Sequence, residues 1–281
     1  MVPILYVLLE RWDAFTLSAL RYAVAIPIML AVVWLREGAP GVPPRSLWTQ
    51  LGLLGGIGIA GLSTFLTVGI AYSDPVSAIV VQAAGPIVTT LVGWVMFGVR
   101  PPRGMGVAFG LAFAGGLLTM WPAAAGPVWL GFRGGELLLV LGSVCWAWYS
   151  LACQRWLAGW SQLRITALTF VPAGAMLLVV YGIALALGVT RAPAGGLDVR
   201  DATLIVWVAV TAACLGVLLW NFGVSRLGLG TASLYLNAVP VFAVLIALGF
   251  GVAPTRLQIL GGLLVLAGVA QAQWRGRASR A

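Results

Sequence analysis

Lysine and histidine are both absent from the 281 residues, and charged residues of all kinds make up only 8% of them. Without lysine there is no Walker-type phosphate loop, no Schiff base and no Ser-Lys dyad. Without histidine there is no Ser-His-Asp triad, no HExxH zinc site and no haem histidine. An ATP-driven pump within this chain is excluded, most hydrolases go with it, and the chain is read as neither an enzyme nor a cofactor protein. Cysteine is nearly as sparse. Cys145, Cys153 and Cys214 are odd in number, lack CxxC spacing and fall within apolar runs, so they read as small core residues rather than metal ligands or a disulfide set. The net charge of +9 comes from 16 arginines set singly between apolar runs, with no basic stretch and no aromatic-basic interleaving. They mark loops, and no nucleic-acid partner is expected.

What is present is apolar. Hydrophobic residues make up 61% of the chain, and runs of about 20 recur throughout, which is the pattern of a multi-pass protein whose partner is the lipid bilayer. Backbone groups in hydrocarbon are satisfied internally, so the spans are helices, and breaks survive where protein or a cavity covers them. One break is explicit: "QAAGPIVTTLVGW" places Gly85-Pro86 inside a run with no charged residue from Val76 to Val99. Hydropathy and loop punctuation predict ten helices, an all-α integral membrane fold. A stub at about 1–9 precedes helices 2 to 5 at about 15–35, 47–71, 76–98 and 104–122; helices 6 to 10 follow at about 135–156, 163–188, 202–223, 230–251 and 257–274.

Ten crossings put both termini on one side. Arg36, Arg45, Arg100, Arg103, Arg155, Arg164, Arg226, Arg275, Arg277 and Arg280 share that side, against Arg11, Arg21, Arg133, Arg191, Arg200 and Arg256. The positive-inside rule makes the termini cytoplasmic, as for a bacterial inner-membrane protein.

The chain also repeats itself. "AGPIVTTLV" from Ala84 aligns with "AVPVFAVLI" from Ala238, matching Pro86 to Pro240, and the same offset matches Gly69 to Gly223, Ser77 to Thr231 and Ala78 to Ala232. "WDAFTLSALRYAVA" from Trp12 aligns with "WSQLRITALTFVPA" from Trp160, matching Ala19 to Ala167, Leu20 to Leu168 and Tyr22 to Phe170. Two five-helix units result, residues 1–126 and 127–281. Five is odd, so the second unit enters the membrane inverted, an arrangement typical of secondary transporters with a site near the midplane.

These features resemble the drug/metabolite transporter superfamily, EamA type: two five-helix repeats, "ALRY" at Ala19 to Tyr22, the Gly-Pro and Val-Pro breaks in helices 4 and 9, and glycine-rich helices 5 and 10. The aromatic content is similar to that of the bacterial YddG-type exporters of aromatic and other hydrophobic amino acids. The resemblance implies export of a small molecule by alternating access. Multidrug and nucleotide-sugar transport are other activities of the superfamily. In that family the first helix is full length, whereas this chain begins "MVPILYVLLERW". Aligning Trp12 with Trp160 sets Met1 opposite Tyr149, so about 15 residues of helix 1 lack a counterpart. The expectation is a start further upstream, carrying the equivalent of the Trp146 face.

Candidate substrate-binding residues are polar or aromatic side chains within the spans. Trp146, Tyr149, Ser150 and Cys153 share one face of helix 6, which either lines a cavity or packs against other helices. Gln82, Pro86, Thr89 and Thr90 share a face of helix 4, as do Ser233, Asn237 and Pro240 in helix 9. An amide without a partner is expensive in lipid, so Gln82 and Asn237 face inward, toward substrate or another helix. Trp220 and Asn221 of helix 8, Tyr72 of helix 3 and Tyr235 of helix 9 complete the set. Ser63, Thr64 and Thr67 read as bonding their own backbone, and Trp156 and Trp160 as interfacial anchors.

Asp74 and Glu136 fall at helix ends, and Arg21 about two turns into helix 2, so no carboxylate is expected near the midplane. A site lined by aromatics and amides favours an apolar or zwitterionic solute. The missing acid leaves facilitated diffusion and proton antiport both open. Gly106 and Gly110, with Gly115 and Gly116, and Gly261, Gly262 and Gly268 in helix 10 read as packing faces within the bundle rather than a dimer surface; a monomer or weak dimer follows. A lipid-modifying enzyme lacks a base here. A membrane receptor or structural subunit is the alternative, and vesicle uptake discriminates it.

Overall fold

The computed structural model describes residues 2–38, 43–73, 81, 84–100, 105–120, 134–190, 196–236, 242 and 255–278, and every regular element among them is helical. In chain order these are α1 (Val2–Leu9), α2 (Ala14–Glu37), α3 (Arg45–Ala71), α4 (Gly85–Phe97), α5 (Met105–Met120), α6 (Gly135–Trp156), α7 (Gln162–Ala186), α8 (Val199–Leu227), α9 (Leu229–Leu236) and α10 (Arg256–Ala278). Five of them, α2, α3, α6, α7 and α8, are long and apolar enough to cross a bilayer, and α4, α5 and α10 carry shorter apolar stretches. Their outer faces are apolar and uncovered: Leu178, Val179 and Ile183 on α7 and Leu219 on α8 are each more than half exposed. A soluble chain does not present such a belt; lipid covers it.

Matching local chemistry starts α2 and α7. Asp13 caps α2, its carboxylate accepting from the Phe15 and Thr16 amides at 2.9 Å. Ser161 caps α7 by accepting from the Arg164 amide at 3.1 Å. A short polar side chain at this position satisfies amides that the first turn leaves unpaired. The alignment through Trp12 and Trp160 pairs these two caps. The packing also reflects the repeat. Glu37 at the end of α2 lies 3.5 Å from Arg164 in the first turn of α7, while Tyr22 meets Phe170 and Ile26 lies against Gly174. The two counterpart helices therefore cross antiparallel.

A second correspondence was not foreseen from sequence. Both α3 and α8 widen into π-type turns midway, at Leu54–Ala60 and at Ala209–Gly216. The offset that pairs Gly69 with Gly223 is 154 residues (223 minus 69) and lays the first segment on 208–214, one residue from the second. Each widened segment rests on the second helix of the other half. Gly55 faces α7 so closely that a Cβ would come within 2.5 Å of the Thr169 carbonyl oxygen. Cys214 directs its thiol at the Ala25 carbonyl of α2, 3.6 Å away. The largest core cluster fills this crossing, with Tyr22, Ile59, Tyr149, Phe170 and Cys214 among its members.

Surface ties group loops as the arginines do. Arg11 bonds Asp198 at 2.6 Å and approaches Asp201 at 3.0 Å, and the Trp12 indole donates to Asp201 at 2.8 Å, joining the α1–α2 turn to the start of α8. On the other group, Arg155 donates to the Phe97 carbonyl at 2.6 Å, and Arg164 pairs with Glu37.

The break expected at Gly85-Pro86 of helix 4 coincides with the start of α4, which begins at Gly85 with Pro86 in its first turn; residues 74–80, 82 and 83 lie outside the described residues. A proline there gives up an amide with no intrahelical partner anyway. In α5 and α10 the close contact uses Gly115, whose Cβ would meet the Gly261 carbonyl at 2.5 Å, and Gly268, against Ala108. Gly106 and Gly110 face open space, so the GxxxG spacing marks the opposite face. α1 covers eight residues.

Candidate functional site

The helix spacing of α6 places Tyr149, Ser150 and Cys153 on one fully buried face, with Trp146 half-buried at its edge. α8 brings Trp220 and Asn221 against that face. The Trp146 ring stacks on Tyr149 with centroids 5.5 Å apart and leans on Trp220 at the same distance. The Trp220 indole donates to the Ser150 hydroxyl at 2.7 Å, and Ser150 donates to the Trp146 carbonyl at 2.7 Å. Five of the sequence candidates thus form one cluster.

Its polar centre is Asn221. The amide nitrogen donates to the Tyr149 hydroxyl at 3.0 Å and to Thr166 at 3.1 Å. Thr169 lies 3.3 Å from the Tyr149 hydroxyl and donates its own proton to the Ile165 carbonyl at 2.9 Å. Tyr149 is therefore the donor to Thr169 and the acceptor from Asn221. The Asn221 side-chain oxygen Oδ1 is buried with no partner. An unpaired buried acceptor is costly, and it can receive an N–H from a bound solute. None of these groups is charged.

Thr166 and Thr169 were missed by the sequence reading. Their signal was available: they are the counterparts of Ser18 and Arg21 in α2. In the first half Arg21 is 5% exposed and donates through Nη2 to Ser63 at 2.8 Å and to Thr67 at 3.0 Å. Thr67 does bond its own backbone, at the Ser63 carbonyl, 2.7 Å, but it also accepts from Ser18 at 3.1 Å. Arg21, placed by the sequence about two turns into helix 2, is thus buried, and the first half holds a charge at the position where the second-half cluster has none.

The other candidates lie elsewhere. Tyr72 ends α3 and is 63% exposed, and Tyr235 near the end of α9 is 37% exposed, both outside the cluster. Pro86 is buried, and its carbonyl accepts from Thr90 at 2.8 Å. Gln82, Asn237 and Pro240 lie outside the described residues. All three cysteines are free thiols.

Known proteins match nearly the whole chain. It is 28% identical to the "Uncharacterized transporter YyaM" of Bacillus subtilis (strain 168) over 258 residues, 90% of this chain and 82% of that protein. An "Uncharacterized transporter" of Archaeoglobus fulgidus matches at 22% over 264 residues, covering 93% and 88%. A protein solved by crystallography superposes with a TM-score of 0.76 at 18% identity, over 100% of this chain and 96% of that one, which shows a shared fold. The model of the EamA-like transporter family matches twice, at residues 2–121 and 133–272. With nearly all of its length matched in two successive passes, this multi-pass membrane chain belongs to the EamA-like transporter family.

Proposed function

We propose that the chain is a secondary exporter of aromatic or other large apolar amino acids and similar amphipathic metabolites, working by alternating access between two inverted halves, residues 1–126 and 127–281. The observation that carries this reading is the uncharged cluster of Trp146, Tyr149, Trp220 and Asn221, in which ring faces adjoin a buried side-chain oxygen without a donor. Rings receive an apolar side chain. The oxygen accepts an N–H from an amine or indole. The antiparallel crossing of counterpart helices α2 and α7 supports inversion, since parallel repeats would leave counterparts running the same way. The matching prolines of the two repeats, Pro86 and Pro240, fit the same reading. The setting is a bacterial inner membrane with both termini cytoplasmic, the chain acting as a monomer or weak dimer without a cofactor.

Purified protein in liposomes, without ATP, should accumulate tritiated tryptophan, phenylalanine or leucine down an imposed gradient and show counterflow between them. A receptor or structural subunit gives no uptake above empty vesicles. Strict ATP dependence, or exclusive movement of a multiply charged solute such as a nucleotide sugar, overturns the reading.

A further inference from the structure

We infer that Arg21 is an anion site that takes the carboxylate of the transported solute; the inference rests on the transport reading above. Arg21 is 5% exposed, in the second turn of the membrane-crossing α2. Its guanidinium has five N–H donors in a planar fork. Both of its hydrogen bonds leave from Nη2, to Ser63 and Thr67. Nε is buried with no acceptor. Among the described residues no carboxylate lies within 4 Å, although Arg11 has two and Arg164 one.

The hydroxyls around it are arranged as acceptors. Thr67 gives its proton to the Ser63 carbonyl at 2.7 Å, so its oxygen lone pairs turn to Arg21 and to Ser18. Hydroxyl dipoles of this kind orient a guanidinium without neutralising it. A buried charge lacking a counterion is strongly unfavourable, and arginine does not shed its proton to escape. What satisfies the remaining Nε–H and Nη1–H donors is an anionic oxygen acceptor, to which such charge-assisted hydrogen bonds are strong.

The repeat places this group with care. Ser18, Arg21 and Thr67 are the counterparts of Thr166, Thr169 and Asn221, so the same α2–α3 and α7–α8 crossings hold a cationic cluster in one half and an amide-aromatic cluster in the other. A zwitterionic amino acid carries a group for each. A solute with no carboxylate leaves Arg21 unpaired and should be moved poorly.

The test compares tritiated L-tryptophan with L-tryptophanamide, which keeps the ring and the amine and lacks the carboxylate, in liposomes holding the full chain at pH 8. Wild-type protein should move tryptophan about tenfold faster than the amide, the discrimination given by a buried group that one solute satisfies and the other does not. Arg21→Gln should bring the two rates within about twofold of each other, and Arg21→Lys should restore part of the preference. A merely structural Arg21 lowers both rates together and leaves their ratio at the wild-type value, which overturns the inference. Should Arg21→Gln fail to insert, Ser63→Ala, which removes one hydroxyl holding the guanidinium, must lower the ratio. Equal wild-type rates overturn the carboxylate site while leaving transport intact, and a tryptophan rate set by chloride assigns the site to an inorganic anion instead. Wild-type vesicles that move neither probe overturn the transport reading and this inference with it.

Discussion

Tyr22 and Phe170 meet edge to face, with ring centroids 5.1 Å apart and planes at 73°, and each is the other's counterpart in the two halves. Equivalent residues touch one another only near an axis that exchanges the halves, so this pair marks the pivot of the pseudo-symmetric crossing of α2 and α7. Both rings are almost fully buried. Truncating either to alanine should destabilise the detergent-solubilised protein by about 3–5 kcal/mol, and the double mutant should cost less than the sum by about 0.5–1.5 kcal/mol, the size of an aromatic pair. Thermal unfolding of the four proteins checks this. Strict additivity removes the pair from the pivot.

Gly55 is where α3 has no room for a side chain, because its Cβ would meet backbone of α7 at Thr169 and Ala173 as well as the Pro172 ring. Backbone does not yield as a flexible side chain does. Gly55→Ala is expected to lower stability by about 1–3 kcal/mol through overpacking. Gly106→Ala, placed in open space on α5, should be neutral or slightly stabilising through helix propensity. Equal melting temperatures for the two variants refute the close crossing.

Much of the fold was legible in the sequence where one chemical requirement acts locally. Gly135 and Trp156 bound α6 because a glycine loop and an arginine-tryptophan end are punctuation that needs no tertiary partner. Asp13 and Ser161 aligned because caps are set within a turn. The site was half legible: periodicity grouped Tyr149 with Ser150, but a face does not name the helix it meets, so Thr166 and Thr169 on α7 went unseen. Span depth alone said little about Arg21, whose burial comes from the approach of α3. Gly106 and Gly110 misled because small-residue spacing looks alike on a packed and on an open face. Tyr72 and Tyr235 have the right chemistry at the wrong ends of helices.

The tie between Arg11 and Asp198 carries a pH signature. The Asp201 amide and then the Arg11 bond hold Asp198 below its ordinary value of 3.8, and the same bond to Asp198 raises Arg11. A depressed carboxylate contributes stability that is present above its ordinary pKa and lost as the pH falls through the lower, folded value. The raised arginine keeps its contribution at every pH below its ordinary value, so it does not titrate in the same window. Melting temperature should therefore separate wild type from Asp198→Asn at pH 7, and the gap should close below about pH 4. A gap that is constant from pH 7 to pH 3 rules out the ion pair as its cause. The exposed setting of both groups makes the effect small and salt-sensitive.

Orientation is tested by labelling. Gly196, in the exposed stretch before α8, belongs to the group of loops tied by Arg11, whereas Arg277 near the end of α10 belongs to the basic group. A membrane-impermeant maleimide applied to intact cells should reach Gly196→Cys and miss Arg277→Cys until the membrane is opened. The native thiols of Cys153 and Cys214 are buried, and replacing the half-buried Cys145 by serine in both variants removes the remaining background. Labelling of Arg277→Cys from outside reverses the assigned sidedness.

Asn221 separates a binding role from a packing role, because its neighbours remain satisfied without it. After Asn221→Ala the Tyr149 hydroxyl still donates to Thr169, and Thr166 still donates to the Gln162 carbonyl at 2.7 Å. The variant should therefore insert and fold, at a cost of about 1–3 kcal/mol, while tryptophan uptake falls about tenfold or more through loss of the side-chain oxygen proposed to receive the solute N–H. Trp220→Phe removes only the indole bond to Ser150 and keeps a ring beside Trp146, so its uptake should fall about twofold to threefold, near the low end of the value of one hydrogen bond. Trp146→Ala strips a ring that stacks on Tyr149 and leans on Trp220 and should raise KM more than it lowers the maximal rate, since it removes binding surface rather than the donor-acceptor match. Asn237→Ala is expected to behave like Asn221→Ala if its amide also meets the solute. Normal uptake in both Asn221→Ala and Trp146→Ala, with reduced melting temperatures, assigns the cluster to packing and moves the site to the Arg21 side of the crossing.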